Sequence, residues 1–271
     1  MGRSFMRCAL PLALGVAMSV GCVWFGREPR APRAGAFHFT MATYNLNNDD
    51  GANPWTLDAI RASEADIVCL QEVTELWRVA ITSRYAASYP YHAFKIDEGG
   101  GAAGLGILSR FPIRDGGFHA GPNGWHPAWH HLVDTPNGTF KILNTHLRMA
   151  TGQHGNALQS YLRAGADHEF EIRLFLSQNT DAVPSVVAGD FNEGPNGAAV
   201  RHLENVGFRN ALPLYHPDEP TWRHQRWTMF QQELDHILFD GAFEPVNAWV
   251  VKGGASDHLA VVAHFEAKGR F

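Results

Sequence analysis

Short stretches of alternating or continuous apolar residues recur along this chain, and they predict a protein rich in β-strands. From Phe37 to Asn45 the side chains alternate with the two-residue period of a strand. Residues 66–71 and 183–188 are almost continuously apolar, which indicates buried strands. Further strands are predicted over 91–96, 105–109, 234–239, 243–251 and 259–265. Residues 131–135 and 139–147 flank Asn137-Gly138, a strong signal for a β-hairpin.

Helical patterns separate several of these strands. We predict helices over residues 54–63, 74–84, 156–178 and 196–206. The first begins at Pro54, and Gly207 ends the last. The chain has 271 residues and is 45% hydrophobic, enough for one large α/β domain. Because hairpins and strand–helix alternations both occur, a mixed sheet system with outer helices is expected.

Six polar motifs lie at the ends of predicted strands. They are Tyr44-Asn45-Leu46, Gln71-Glu72, Asn144-Thr145-His146-Leu147, Gly189-Asp190-Phe191-Asn192, Leu234-Asp235-His236 and Ser256-Asp257-His258. Metal-assisted attack on a phosphate ester needs oxygen ligands for a hard cation, a histidine to activate water and neutral donors for phosphoryl oxygens. Together the motifs supply these groups.

This set of motifs resembles the endonuclease/exonuclease/phosphatase superfamily, the DNase I-like metal-dependent phosphohydrolases. The likeness runs from about residue 37 to residue 265 and includes the connecting phrase at 104–113. The resemblance implies a four-layer α/β sandwich, in which two mixed β-sheets pack face to face and helices cover both outer faces. It also implies a site at one end of the sandwich.

The expected metal ligands are Glu72, Asn45 and Asp257, all oxygen donors. Carboxylate and amide oxygens suit Mg²⁺ or Mn²⁺, which we therefore expect as the cofactor. Asn45 can alternatively form an Asx turn with the polar residues that follow it. The sequence leaves open whether one or two ions bind.

The expected catalytic base is His258, which would deprotonate the attacking water, with Asp235 orienting its ring. The resemblance places Asp190 and Asn192 in the middle of the site, where they position water or leaving group and donate to phosphate. It places His146 on the opposite wall as a phosphate clamp or acid. Asn192 and His146 are thus also expected to bind substrate.

Other residues offer weaker signals. Arg223 or Arg226, after Thr221-Trp222, could contact a substrate phosphate. A segment at 116–131 is rich in Trp and His and is interpreted as a loop that either forms an aromatic wall facing substrate or packs internally. No Cys or carboxylate spacing supports zinc there.

The first 34 residues are expected to be a leader and linker, and residues 35–271 the catalytic domain. Basic residues precede an apolar stretch that ends at Gly21-Cys22, which is consistent with a lipoprotein signal, an uncleaved membrane anchor or ordinary secretion. We expect an extracytoplasmic protein, in the periplasm or cell envelope, tethered to the membrane through lipid or anchor. Cys69 lies in an apolar run and is predicted to be buried and unpaired.

Charge bears on the choice of substrate. The chain has 22 basic and 27 acidic residues; without the five Arg and one Glu of residues 1–34, the rest holds 17 and 26, a net charge of −9. Nucleic-acid binding draws on Lys and Arg, so we favour an exported phosphodiesterase or phosphatase acting on a small molecule or lipid headgroup. The alternatives are a nuclease of the same fold acting on DNA or RNA and, more remotely, a non-catalytic binding module. A monomer is expected.

Overall fold

The computed structural model describes residues 26–96, 101–122, 126–149, 157–224 and 229–271, with only the backbone for 157–163. The strands, in chain order, are β1 (His38–Asn45), β2 (Ile67–Gln71), β3 (Tyr91–Lys95), β4 (Leu105–Ser109), β5 (Ile113–His119), β6 (Ala128–Thr135), β7 (Gly138–His146), β8 (Ser185–Asp190), β9 (Arg209–Asn210), β10 (Trp222–Arg223), β11 (Gln231–Gln232), β12 (Asp235–Phe239), β13 (Phe243–Val250) and β14 (Val261–Ala267). The helices are α1 (Pro54–Ala62), α2 (Glu75–Tyr85), α3 (Ala157–Ser177) and α4 (Ala198–Asn205).

Two six-stranded sheets form the centre of the molecule. The first has the order β13-β14-β1-β2-β4-β3, and the second β5-β6-β7-β8-β12-β9. Each is mixed, because β1 runs parallel to β2 and β7 parallel to β8, while their other pairings are antiparallel. A short hairpin of β10 and β11 stands apart from both sheets.

The two sheets pack face to face through a core of buried side chains. Residues that alternate along the strands, such as Phe39 and Met41 of β1 and Phe140 and Ile142 of β7, meet in this interface. Cys69 lies there too as a free, buried thiol, as predicted, and burial raises its pKa.

Helices cover the two outer faces. Leu57 and Ile60 of α1, with Trp77 and Ile81 of α2, pack on the outside of the first sheet. On the second sheet, α3 and α4 pack through a separate apolar cluster that includes Phe175. The four-layer sandwich expected from the resemblance is therefore confirmed.

One prediction about the fold was wrong. The segment 116–131 is not a single loop, because β5 includes residues 116–119 and β6 already begins at Ala128. Trp129, His130 and His131 lie within β6, and all three side chains are buried. The start of β6 was not predicted as a strand because its consecutive polar and aromatic residues show no alternation of apolar positions. The strand is defined by its pairing with β5 and β7.

The predicted leader lies at 1–25, outside the described residues. Residues 26–36, which include the predicted linker up to residue 34, form neither helix nor strand, and ion pairs hold them on the domain. Arg30 and Arg33 both bind Glu266, and Arg27 binds Glu244. Within the described part of the chain, no helix is long and apolar enough to cross a membrane.

A buried amide pair links the two sheets next to the motif-bearing strand ends. Gln71, the last residue of β2, donates through Nε2 to Asn144 Oδ1 of β7 at 2.8 Å. Asn144 Nδ2 in turn donates to the carbonyls of Gly106 (2.9 Å) and Leu70 (3.2 Å). Both amides are fully buried, and their polar atoms are satisfied by each other, by these carbonyls and by the Thr43 hydroxyl, which lies 3.1 and 3.3 Å from the two polar atoms of Gln71.

We predict that Asn144→Ala lowers the free energy of unfolding by about 1–3 kcal/mol, because Gln71 would keep only its hydrogen bonds to Thr43 and the carbonyls of Gly106 and Leu70 would lose the amide that donates to them. Urea denaturation of the purified protein would measure this. The control is Asn205→Ala in the exposed last turn of α4, which should change stability by less than about 0.5 kcal/mol. Equal effects of the two substitutions would contradict the role given to the buried pair.

Candidate active site

The polar motifs come together at one end of the sandwich. β1 and β2 are parallel and end side by side at Asn45 and Gln71. On the other sheet, β7 and β8 end at His146 and Asp190, and Asp235 opens the neighbouring antiparallel β12 opposite Asp190. The site is therefore built from the ends of both sheets.

His258 and Asp235 form a buried hydrogen-bonded pair. His258 Nδ1 lies 2.8 Å from Asp235 Oδ2, and the same oxygen accepts from Thr221 Oγ1 at 2.6 Å. The Thr221 hydroxyl also accepts from the backbone N–H groups of Leu234 and Asp235. Thr221 thus fixes the carboxylate that fixes the imidazole, which is the arrangement expected of an oriented base.

The free side of His258 faces a second carboxylate. Its Nε2 lies 3.6 Å from Asp190 Oδ2. Burial disfavours the charged imidazole, but the carboxylates of Asp235 and Asp190 outweigh this effect and raise the pKa to about 10. A histidine with that pKa carries a proton at neutral pH. To act as a base it needs additional positive charge nearby, which would lower its pKa.

The Asp190 carboxylate contacts most of the other polar side chains of the site. Its Oδ2 accepts from Asn45 Nδ2 at 2.9 Å and also lies 3.5 Å from His146 Nε2, while Oδ1 accepts from the Asn192 N–H at 2.8 Å. Burial raises its pKa, yet the charges of His258 and His146 and these hydrogen bonds more than compensate and hold it below the usual range. Asp190 is therefore ionised.

Glu72, which follows β2 of the first sheet, lies beside Asp190 of the second sheet. Its Oε1 accepts from Asn45 Nδ2 at 3.0 Å, and its Oε2 accepts from the Asn48 N–H at 2.9 Å. Burial raises the pKa of Glu72, and the charge of Asp190 adds to the effect. The partly buried carboxylate of Glu72 and the buried carboxylate of Asp190 thus approach the same amide nitrogen, an arrangement that attracts a cation.

Of the two roles considered for Asn45, the structure shows the Asx turn. Asn45 Oδ1 accepts from the Asn47 N–H at 3.0 Å, which is an Asx turn, and its amide nitrogen rather than its oxygen faces the two carboxylates. To offer its oxygen to a metal, the amide would have to turn over and give up these hydrogen bonds. Metal ligation by Asn45 stays a prediction.

Asp257 is held by side-chain hydrogen bonds from Asn47 and Trp222. Its two oxygens accept from Asn47 Nδ2 (2.9 Å) and from the Trp222 indole N–H (3.1 Å). Asn47 therefore connects the segment after β1 to the segment before β14. These neutral donors hold the Asp257 carboxylate in place without neutralising its charge.

The donor set fits a hard divalent cation. Glu72, Asp190 and Asp257 contribute carboxylate oxygens. Burial, with the charge of Asp190, raises the pKa of Glu72, and the carboxylates of Asp235 and Asp190 raise the pKa of His258. Asp190, Asp235 and His258 also lie close enough to ligate one ion, with ligand atoms within 4.8 Å of one another. In that group Asp235 Oδ2 and His258 Nδ1 already share a hydrogen bond, so we assign Asp235 and His258 to proton transfer rather than to metal binding.

His146 and Asn192 complete the wall opposite Glu72. The His146 ring stacks on His126, with centroids 3.8 Å apart and an angle of 10° between planes. Burial lowers the pKa of His146. Asn192 donates through Nδ2 to the carbonyl of Leu147 at 2.9 Å, so its amide ties the two strand ends together.

Two residues of the site adopt left-handed backbone conformations. Glu72 has φ of 57° and Asn192 has φ of 50°. Non-glycine residues pay on the order of 1 kcal/mol or more for this conformation, and such strain concentrates at functional sites. Glu72 comes directly after β2, and Asn192 comes two residues after the end of β8. The Glu72 side chain contacts Asn45 at the end of β1, and the Asn192 side chain contacts Leu147 just after β7.

Thr221 and Trp222 position the site residues, a role that was not predicted from the sequence. In the segment Thr221-Trp222-Arg223, Thr221 and Trp222 contact the site residues through side chains, whereas the contact from Arg223 is its backbone N–H to the Asp257 carbonyl. Substrate binding by Arg223 stays a prediction, and Arg226 lies outside the described residues. His236 of the fifth motif points away and bonds the Glu193 carbonyl through Nε2.

Comparison with known proteins identifies the family of the chain. The sequence profile of the Endonuclease/Exonuclease/phosphatase family matches residues 42–258, from β1 to the last motif. Comparison with curated protein sequences found no match.

Solved structures of this fold are similar over most of the chain. An endonuclease/exonuclease/phosphatase from Beutenbergia cavernae has a TM-score of 0.65 and 21% identity, covering 86% of this chain and 72% of its own. D. rerio TDP2 complexed with single strand DNA product has a TM-score of 0.64 and 15% identity, covering 84% and 98%. ANGEL2, a 2′,3′-cyclic phosphatase, has a TM-score of 0.63 and 16% identity, covering 89% and 99%. At these identities the similarity establishes the fold.

We predict that Asp235→Asn lowers the pKa of His258 in the metal-free protein well below 10, since it removes the nearest carboxylate. Histidine-selective NMR titration would measure the pKa. The control Asp181→Asn changes an exposed carboxylate and should leave it unchanged. An unaltered His258 pKa in Asp235→Asn would show that the pair does not govern the protonation of this ring.

Proposed function

Because the chain belongs to the endonuclease/exonuclease/phosphatase family, a family of phosphoester hydrolases, we propose that it hydrolyses a phosphodiester or phosphomonoester with a divalent cation and a water activated by His258. The observation that carries the proposal is the buried His258–Asp235 pair, whose free nitrogen faces the Asp190 carboxylate beside Glu72. Base, orienting group and carboxylates lie within one cluster, as hydrolysis by an activated water requires.

In this proposal Glu72 and Asp257, with Asn45 if its amide turns over, hold Mg²⁺ or Mn²⁺. When bound, the cation supplies Lewis-acid polarisation of a phosphoryl oxygen and charge neutralisation. Asp190 and Asn192 position the water or the leaving group.

Proton transfer falls to the two histidines. His258 takes the proton of the water at Nε2, and Asp235 stabilises the imidazolium that results. His146, on the far side of Asp190, donates to a phosphoryl oxygen or to the leaving group.

A small or lipid-derived phosphoester is favoured over nucleic acid by the charge of −9 outside residues 1–34. The fold similarity to a DNA-bound TDP2 keeps a nuclease as the second candidate. Turnover of bis-nitrophenyl phosphate, sphingomyelin, inositol phosphates, RNA and plasmid DNA by the full-length protein would separate them. Export, membrane tethering and lipidation at Cys22 stay predictions.

We predict that activity requires a divalent cation. EDTA should abolish turnover and Mg²⁺ or Mn²⁺ should restore it, because the site would otherwise have no Lewis acid to polarise the phosphoryl oxygen. Glu72→Gln should raise the Mg²⁺ concentration needed for half-maximal activity. The exposed Glu204→Gln serves as control and should behave as wild type. Full turnover by metal-free protein would refute the proposed mechanism.

We predict that His258→Ala lowers kcat by about 10²–10⁴-fold, the usual contribution of a positioned base. Asp235→Asn should also lower kcat, because the imidazole loses its orienting partner. The double variant should lose less than the product of the two single losses, since both act on one proton transfer. Steady-state kinetics of the four proteins would test this, and fully multiplicative losses would show that the two residues act independently.

A further inference from the structure

We infer that His126 is a positioning residue for His146, and that its ring, by stacking on the His146 ring, sets the plane in which His146 meets the phosphoester. The inference rests on the proposed function. His126 belongs to the Trp- and His-rich segment that no part of the mechanism has used so far.

The contact between the rings is close and parallel. Their centroids are 3.8 Å apart and their planes differ by 10°, which is face-to-face packing over the whole ring. His146 is 2% exposed, and its Nε2 points toward Asp190 Oδ2 at 3.5 Å. Any rotation of the His146 ring about its Cβ–Cγ bond would drive it into His126.

His146 needs such a contact because a hydrogen bond does not hold its other nitrogen. In His258, Nδ1 is fixed by Asp235 at 2.8 Å. In His146, Nδ1 is buried and has no partner among the described residues. The last side-chain torsion of histidine has broad minima, so an imidazole without an anchor on Nδ1 depends on packing for its orientation.

The backbone fixes His126 in the stacking position. The residue before a proline is restricted to extended conformations, and Pro127 follows His126. The Pro127 carbonyl accepts from the His146 N–H at 3.3 Å, so the two histidines are attached to hydrogen-bonded backbone segments. The Ala102 carbonyl lies near both rings and favours the charged form of each.

His126 is suited to a packing role rather than to proton transfer. Burial, and then the neighbouring His146, lower the pKa of His126 to about 3. The ring is therefore neutral throughout the physiological range. It offers His146 a flat, uncharged surface without competing for the proton that His146 exchanges with substrate.

Two substitutions separate stacking from a polar role of His126. His126→Ala removes the ring and should lower kcat by about 3- to 10-fold with little change in KM, the size expected for one aromatic contact. His126→Phe keeps a flat ring without nitrogen atoms and should stay within about 2-fold of wild type. His119→Ala, in the same segment but outside the site, is the matched control and should leave kcat unchanged. Loss of activity in His126→Phe equal to that in His126→Ala would overturn the stacking role.

A double-variant cycle tests whether His126 acts through His146. In a His146→Ala background, His126→Ala should cause no further loss, because the ring that it positions is gone. A further loss of the full single-variant size in that background would show an independent role and overturn the inference.

A readout that does not depend on turnover separates this inference from the proposed function. In His126→Ala the ¹H and ¹⁵N resonances of the His146 ring should shift and broaden, as the ring current of His126 is lost and the ring samples more orientations. They should not change in His119→Ala. If wild type hydrolyses no phosphoester, the proposed function fails while the NMR result still decides the positioning role; unchanged His146 resonances in His126→Ala would refute that role.

Discussion

The hydrogen bond between Gln71 and Asn144 fixes how the two sheets meet, and the site depends on that relation. A second buried polar contact, from Asn45 Nδ2 to Asp190 Oδ2, joins the sheets at the site itself, and the large core between them is apolar. Apolar contacts alone tolerate small displacements of one sheet on the other. A buried amide pair does not, since leaving either amide unpaired costs about 1–3 kcal/mol. Gln71 immediately precedes Glu72, and Asn144 lies two residues before His146. The pair therefore sets the spacing between the wall that carries Glu72 and the wall that carries His146.

Excess negative charge is the second constraint on the site. The buried carboxylates of Asp190 and Asp235 lie in one cluster with the partly buried Glu72; without a cation, the Asn45 amide donates hydrogen bonds to Glu72 and Asp190, and the proton of His258 supplies the compensating charge. A cation held by Glu72 and Asp257 would take over part of that compensation. It would favour release of the His258 proton and repel the Asn45 amide nitrogen. Cation binding and base activation are thus two consequences of one electrostatic balance.

The sequence predicted the sheets and the clustered motifs because both have local signals. Strand periodicity places the polar motifs at strand ends, and parallel pairing brings Asn45 beside Gln71 and His146 beside Asp190. The positioning residues lack such signals. Thr221 reaches Asp235 across 14 positions, a choice of partner that depends on the fold rather than on spacing. The stretch from Trp129 to His131 was assigned to a loop because its buried strand consists of polar and aromatic side chains.

The groups around the reacting centre also bear on the kind of substrate. The side chains that contact Asp190 are an amide and two imidazoles, from Asn45, His146 and His258. Such groups hold a single phosphoryl group when a cation supplies the positive charge, whereas duplex DNA is bound largely through Lys and Arg spread along its backbone. On the proposed function, a site whose positive charge comes from a bound cation rather than from Lys and Arg would suit a phosphoester attached to a small group better than a long polyanion.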